Sequence, residues 1–110
     1  MKIVNFAEMN SELNRFVAEI RDIHIQQDRL RFRKNLERIG EVMSYEISKD
    51  FRYSEKLVTT PLGTARVNTA DDKIVIGTIL RAGIPYHQGF LNYFDRAENA
   101  FVSAYRKYKD

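Results

Sequence analysis

Residues 73–80, Lys-Ile-Val-Ile-Gly-Thr-Ile-Leu, form a β-branched run that ends on Arg81-Ala82-Gly83 and leads into Ile84-Pro85. This junction constrains the chain more than any other stretch. The run reads as apolar on both faces, which predicts a strand over 73–80 covered by helices on both sides. Pro85 suits the first turn of a helix, where a missing N–H costs nothing. That helix carries Tyr86, Phe90, Leu91 and Phe94. A second apolar run, 100–105, predicts another strand. Strand, helix and strand in this order make a βαβ unit, with parallel strands and a right-handed crossover.

The chain upstream follows a helical period. Ser11 is a candidate helix cap. Leu13, Phe16, Val17, Ile20 and Ile23 then fall three and four apart, predicting a helix over 11–25. A second helix is predicted over 29–50, with the stripe Leu36, Ile39, Met43 and Ile47. Gly40 lies inside it against helix propensity, and close approach of another element would explain it. From residue 53 the pattern alternates instead. Thr60-Pro61-Leu62-Gly63 suits a type I turn, predicting a β-hairpin with arms at 56–60 and 64–68. The fold class is therefore α/β: two N-terminal helices, a β-hairpin arm, then a parallel βαβ unit. We divide the chain into a helical part (1–52), the hairpin (53–70) and the βαβ unit (73–106) with its loop at 80–84.

Composition removes several functions. With 110 residues the chain can bury only a thin core. There is no cysteine, so disulfides and thiolate metal sites are excluded. His24 and His87 have no metal-ligand spacing. No long apolar stretch opens the chain, so no membrane association is expected and a cytoplasmic location is the default. The net charge of +3 is too small by itself to argue for nucleic acid. Arg29, Arg31, Arg33, Lys34 and Arg38 are interleaved with Glu37 and Glu41 on a helix with an apolar face. They read as a solvated or subunit-facing surface, and no nucleic-acid partner is expected.

The strand–loop–helix junction carries the chemistry. Ligands of open parallel sheets collect beyond the carboxyl ends of strands. A helix N-terminus there offers free N–H groups and partial positive charge to an anion. Gly83 lets the backbone come close or take positive φ. Arg81 adds a fork of donors matched to phosphate oxygens. The second strand ends on Tyr105-Arg106, so a second guanidinium sits at the same edge. Residues 81–83 with Arg106 thus read as a phosphate or pyrophosphate site. Equally open on spacing alone is a solvated Arg81 beside a plain turn glycine. The loop matches neither a Walker loop nor a dinucleotide fingerprint. Asp71-Asp72 reads as a solvated turn, His87 as a helix-surface histidine, and His24 as structural or exposed. Tyr105 is expected to pack or orient the loop. The aromatic residues of the third helix are expected to pack on the sheet.

Ile79-Leu80-Arg81-Ala82-Gly83 resembles the Ile-Leu-Arg-Ala-Gly signature of uracil phosphoribosyltransferases. The likeness continues through 87–96 (HQGFLNYFDR) and 97–107 (AENAFVSAYRK). It also covers Arg31-Phe32-Arg33, residues 36–41, Tyr45-Glu46 and the hairpin segment with TTPLG. The resemblance implies a type I phosphoribosyltransferase fold. It implies transfer of ribose 5-phosphate from phosphoribosyl pyrophosphate to uracil, giving UMP and pyrophosphate. Arg81, Ala82 and Gly83 would bind the donor's pyrophosphate, and Arg106 would be a second donor-binding residue. Magnesium would accompany the donor, held mainly by the donor's own oxygens and water. The pyrophosphate loops of related transferases often hold a non-proline cis peptide, so one is expected near Leu80–Arg81–Ala82.

Members of that family are roughly twice this length, the usual size of a whole α/β domain. A segment of the type Asp-Pro-Met-Leu-Ala-Thr-Gly-Gly, which grips the 5-phosphate, has no counterpart here, nor does the glycine-rich segment that reads uracil. The chain therefore resembles the amino-terminal half, a partial domain with no assignable catalytic residue and little or no transfer activity of its own. An open sheet edge and uncovered apolar area predict self-association into a homo-oligomer. The alternative function is a non-catalytic anion-binding or dimerisation module.

Overall fold

The computed structural model describes residues 1–107. After a short 3-10 turn at Phe6–Glu8 come helices α1 (Leu13–Arg21) and α2 (Arg29–Ser48). The antiparallel strands β1 (Tyr53–Thr60) and β2 (Gly63–Ala70) follow. The unit β3 (Val75–Leu80), α3 (Ile84–Tyr93) and β4 (Glu98–Ser103) completes the described chain. The architecture is the expected α/β one: helices, a hairpin, then a parallel pair joined by a helix.

Helix α1 is shorter than its apolar period. Ser11 does not cap it: the cap position is Glu12, with no side-chain hydrogen bond. At the far end Asp22 Oδ1 accepts from the His24 backbone N–H at 2.8 Å, drawing the chain into a turn before residue 25. Helix α2 starts as expected and is capped by Asp28, whose Oδ1 accepts from Arg31 N–H at 3.1 Å. Of its stripe, Ile39 is buried and Met43 half-buried, while Ile47 is 46% exposed. The core is instead partly polar: Asn35 and Ser44 are fully buried on α2. Ser44 is satisfied by donating to Gly40 O at 2.8 Å.

Gly40 has the close neighbour that its position implied. A Cβ there would stand 3.1 Å from Gly89 Cα and 3.3 Å from Phe90 N on α3. Gly89 is the matching residue: a Cβ on it would lie 2.9 Å from Glu41 N and from Gly40 Cα. The two helices cross backbone to backbone at this pair. Tyr86 and Phe90 flank the crossing edge to face at 4.9 Å, and the Tyr86 hydroxyl donates to Met43 Sδ at 2.6 Å. The Tyr86 side chain of α3 therefore packs on α2.

The hairpin arms are longer than predicted, pairing in register from Tyr53↔Ala70 to Thr60↔Gly63. Gly63 takes φ +130°, a conformation that L side chains rarely adopt, and Thr60 Oγ1 accepts from Leu62 N–H. Asp72 is not a solvated turn residue. Its Oδ2 accepts from Arg52 N–H at 3.0 Å and its Oδ1 from Arg52 Nε at 3.1 Å, closing the hairpin's base.

Strands β3 and β4 pair in parallel from Val75↔Glu98 to Leu80↔Ser103. Helix α3 covers one face, where Ile76 is buried and Thr78 and Leu80 are half-buried. The other face is open among the described residues: Val75 is 61% and Ile79 63% exposed. The expectation of helices on both faces is thus corrected. The cause is topology, since α2 packs on α3 and α1 on α2, and neither crosses to the far side of β3.

Candidate functional site

The edge at which β3 and β4 both end carries the residues singled out above. Leu80 and Ser103 are register partners, so the chain leaves both strands on the same side of the sheet. Arg81 follows Leu80 directly across a cis peptide bond, at the position expected for one. Arg81 and Ala82 are exposed, and the Arg81 guanidinium engages no carboxylate among the described residues. Arg106 is also exposed, three residues past the end of β4. Both arginines lie in the chain that leaves this end of the sheet, and neither is buried.

Gly83 is required by packing. A Cβ would stand 2.5 Å from Thr78 Oγ1 and 2.9 Å from Ile79 O, so any larger residue would push the loop off β3. Its φ is −75°, so of the two uses expected for this glycine the close approach is the one realised. The loop is folded tightly. Gly83 N–H donates to Ile79 O at 3.3 Å, Ile84 N–H to Arg81 O at 3.1 Å, and His87 N–H to Gly83 O at 2.8 Å. Helix α3 starts immediately, with Pro85 in its first turn and no side-chain cap. The Gly83 and Ile84 N–H groups are spent inside the loop and Pro85 has none, so what this turn offers an anion is mainly its partial positive charge. The arrangement is an exposed guanidinium beside a helix N-terminus, which attracts an anion by charge and by the guanidinium's directed donors.

Two neighbours differ from expectation. His87 is not on the helix surface. It is 6% exposed, with Nε2 2.7 Å from Asn99 Oδ1 and its ring 5.0 Å from that of Phe101. The sequence signal was available: His87 stands three residues before Phe90 and four after Gly83, on the sheet-facing side of a short helix. Tyr105, two residues past the end of β4, is 88% exposed, so the packing expected of it is not seen among the described residues.

The basic run on α2 is locally engaged. Arg31 pairs with Glu19 at 3.0 Å, Lys34 with Glu37 at 3.4 Å, and Arg38 donates to Asn35 Oδ1 at 3.1 Å. Glu19 was not singled out by the sequence. Hydrogen bonds from Asn35 and then Arg31 hold its carboxyl below the usual range. Burial pushes the Tyr86 phenol up. A hollow of about 890 Å³ lies between α2, α3 and β3, lined by Phe51, Ile74, Ile76, Phe90 and Phe94 among others. Arg81, Ala82, Gly83 and Arg106 do not line it, so it is separate from the loop after β3. Among the described residues no group of three or more His, Asp or Glu side chains is placed to hold a metal ion.

The comparisons with known proteins agree with one another. The family described as Uracil phosphoribosyltransferase matches residues 9–110. A uracil phosphoribosyltransferase of Porphyromonas gingivalis is 62% identical over all 110 residues, which cover 51% of that protein. One from Pyrococcus furiosus is 37% identical over 92 residues, 82% of this chain and 39% of that protein. The solved structure of the AQ2163 protein from Aquifex aeolicus superposes with a TM-score of 0.71 at 32% identity. The match covers 86% of this chain and 45% of that one. The chain spans about half the length of the first of these relatives. A match to the family over nearly every residue, the Arg81–Gly83 loop included, means that this chain belongs to the uracil phosphoribosyltransferase family.

Proposed function

We propose that this chain supplies the pyrophosphate-gripping part of a uracil phosphoribosyltransferase. Arg81 with the Ala82 and Gly83 backbone binds the pyrophosphate of phosphoribosyl pyrophosphate, and Arg106 approaches the same group from the end of β4. The observation that supports this reading is the shared edge of β3 and β4, where the uncapped α3 N-terminus lies, Arg81 follows β3 directly and Arg106 stands three residues past β4. Transfer to uracil would release pyrophosphate and leave UMP. Negative charge grows on the leaving group as the glycosidic bond breaks. Donors fixed at that point therefore bind the transition state better than the ground state.

The loop presents a cation and N–H groups, not carboxylates. It does not fit a resident magnesium, and magnesium would arrive as the donor's complex, coordinated by phosphate oxygens and water. A cytoplasmic setting and self-association through exposed apolar surface belong to the same proposal. The isolated 110 residues are expected to hold the donor without turning it over. Much of such a rate enhancement comes from aligning both reactants, and no residue here is assigned to uracil. A second reading is a non-catalytic anion-binding or dimerisation module.

Calorimetry separates these possibilities from a plain surface loop. Phosphoribosyl pyrophosphate and pyrophosphate should both bind the wild-type chain. Arg81→Ala should weaken each by roughly 10–100-fold, the loss of a charge-assisted contact. Equal binding by both proteins would remove Arg81 from the site. Turnover of uracil by the chain alone would exclude the non-catalytic reading.

A further inference from the structure

His87 belongs to α3, yet its side chain is spent on β4. Among the described residues, its bond to Asn99 is the side-chain hydrogen bond that joins these two elements. An amide oxygen only accepts, so His87 Nε2 carries the proton and donates to Asn99 Oδ1 at 2.7 Å. Nδ1 is then the bare nitrogen, and it is buried without a partner. The ring lies at 32° to that of Phe101, two residues further along β4. On the other side, the His87 backbone N–H closes on Gly83 O at 2.8 Å. One residue is therefore tied to the anion loop through its backbone and to β4 through its ring. Histidine accepts an unpaired buried nitrogen here, a cost that a packed leucine would avoid.

From this geometry we infer that His87 is a positioning residue for the anion edge. It holds the first turn of α3, and with it Arg81–Gly83, in register with the strand that ends before Arg106. The inference rests on the proposed pyrophosphate site and deepens it. It touches no substrate: the imidazole acts through Gly83 and Asn99.

The test uses the 110-residue chain, inorganic pyrophosphate and calorimetry, with Arg81→Ala as the reference for a lost site. His87→Leu and Asn99→Leu should each weaken binding about tenfold, the effect of one hydrogen bond. His87→Gln, which restores a donor near the Nε2 position, should stay within about threefold of wild type. The double variant should bind no more weakly than either single one, because both remove the same link. Asn99 is exposed, so Asn99→Leu decides the matter if His87→Leu does not fold. Imidazole nitrogen NMR of the wild type, without ligand, should show the Nε2–H tautomer. Wild-type affinity in Asn99→Leu, with Arg81→Ala disabled, would overturn the positioning role and leave the site standing. So would an Nδ1–H tautomer. Unaltered binding by Arg81→Ala would instead overturn the site and this inference with it.

Discussion

Gly89 and Gly63 are both glycines of necessity, for opposite reasons. At Gly89 the backbone is ordinary helix and the obstacle is space, since a Cβ would press on Gly40 Cα and Glu41 N. At Gly63 there is open space and the obstacle is φ +130°. Gly89→Ala should therefore lower stability by about 1–3 kcal/mol, because overpacking outweighs the gain in helix propensity of about 1 kcal/mol. It should also loosen the α2–α3 contact. Gly63→Ala should cost more than about 1 kcal/mol within the hairpin while leaving α2 and α3 untouched. Urea unfolding with site-resolved amide exchange distinguishes the two. A stabilised Gly89→Ala would show that the helices sit further apart than this.

At the scale of elements, one polar cluster binds α1 to α2. Buried Asn35 donates to Glu19 Oε2 at 2.9 Å, Arg31 donates to the same oxygen, and Arg38 lies over Phe16 at 5.4 Å. Asn35→Ala removes a donor from Glu19 and should cost about 1–3 kcal/mol. The pH dependence has a defined sign. Glu19 titrates below its ordinary 4.5 when folded and returns to it on unfolding. Its stabilisation is complete above that unfolded value and is lost as pH falls through the lower folded one. Asp72 behaves likewise below its ordinary 3.8, chiefly through the bond from Arg52 N–H. Glu19→Gln should flatten this part of the acid stability curve. Urea midpoints between pH 5 and pH 3, about the range over which carboxylates protonate, would show it. The hairpin has its own anchor. A two-stranded ribbon is marginal by itself, so Asp72→Ala should speed amide exchange along β1 and β2 while α2 and α3 keep their protection.

The whole molecule is extended. Its radius of gyration is 18.0 Å and its long axis 66 Å. A compact chain of this length would have a radius of about 13 Å. Nearly all of the hairpin is exposed, as are Val75 and Ile79 on β3 and Val102 on β4. Exposed strand edges and apolar faces of this kind associate. Sedimentation velocity at micromolar concentration should therefore find a dimer or larger species. Val75→Lys with Ile79→Lys should shift the population toward monomer if the sheet face is the contact. A monomer in the wild type would contradict the expectation.

Local order and the strand–loop–helix junction were readable along the chain, because both follow from short-range rules. The period of α2, the turn at Pro61–Gly63, the order of strand, helix and strand, and the Arg81–Gly83 junction each depend on residues close in sequence. Length was harder: α1 stops early because Asp22 finds a backbone partner, and the hairpin runs on because pairing propagates past its apolar residues. Hidden from a linear reading were the relations between distant segments. Gly89 matters because Gly40 lies against it, His87 because Asn99 does, and Asp72 because Arg52 does. Whether a side chain is surface or interior depends on what the rest of the chain brings to it, and only the assembled structure contains that information.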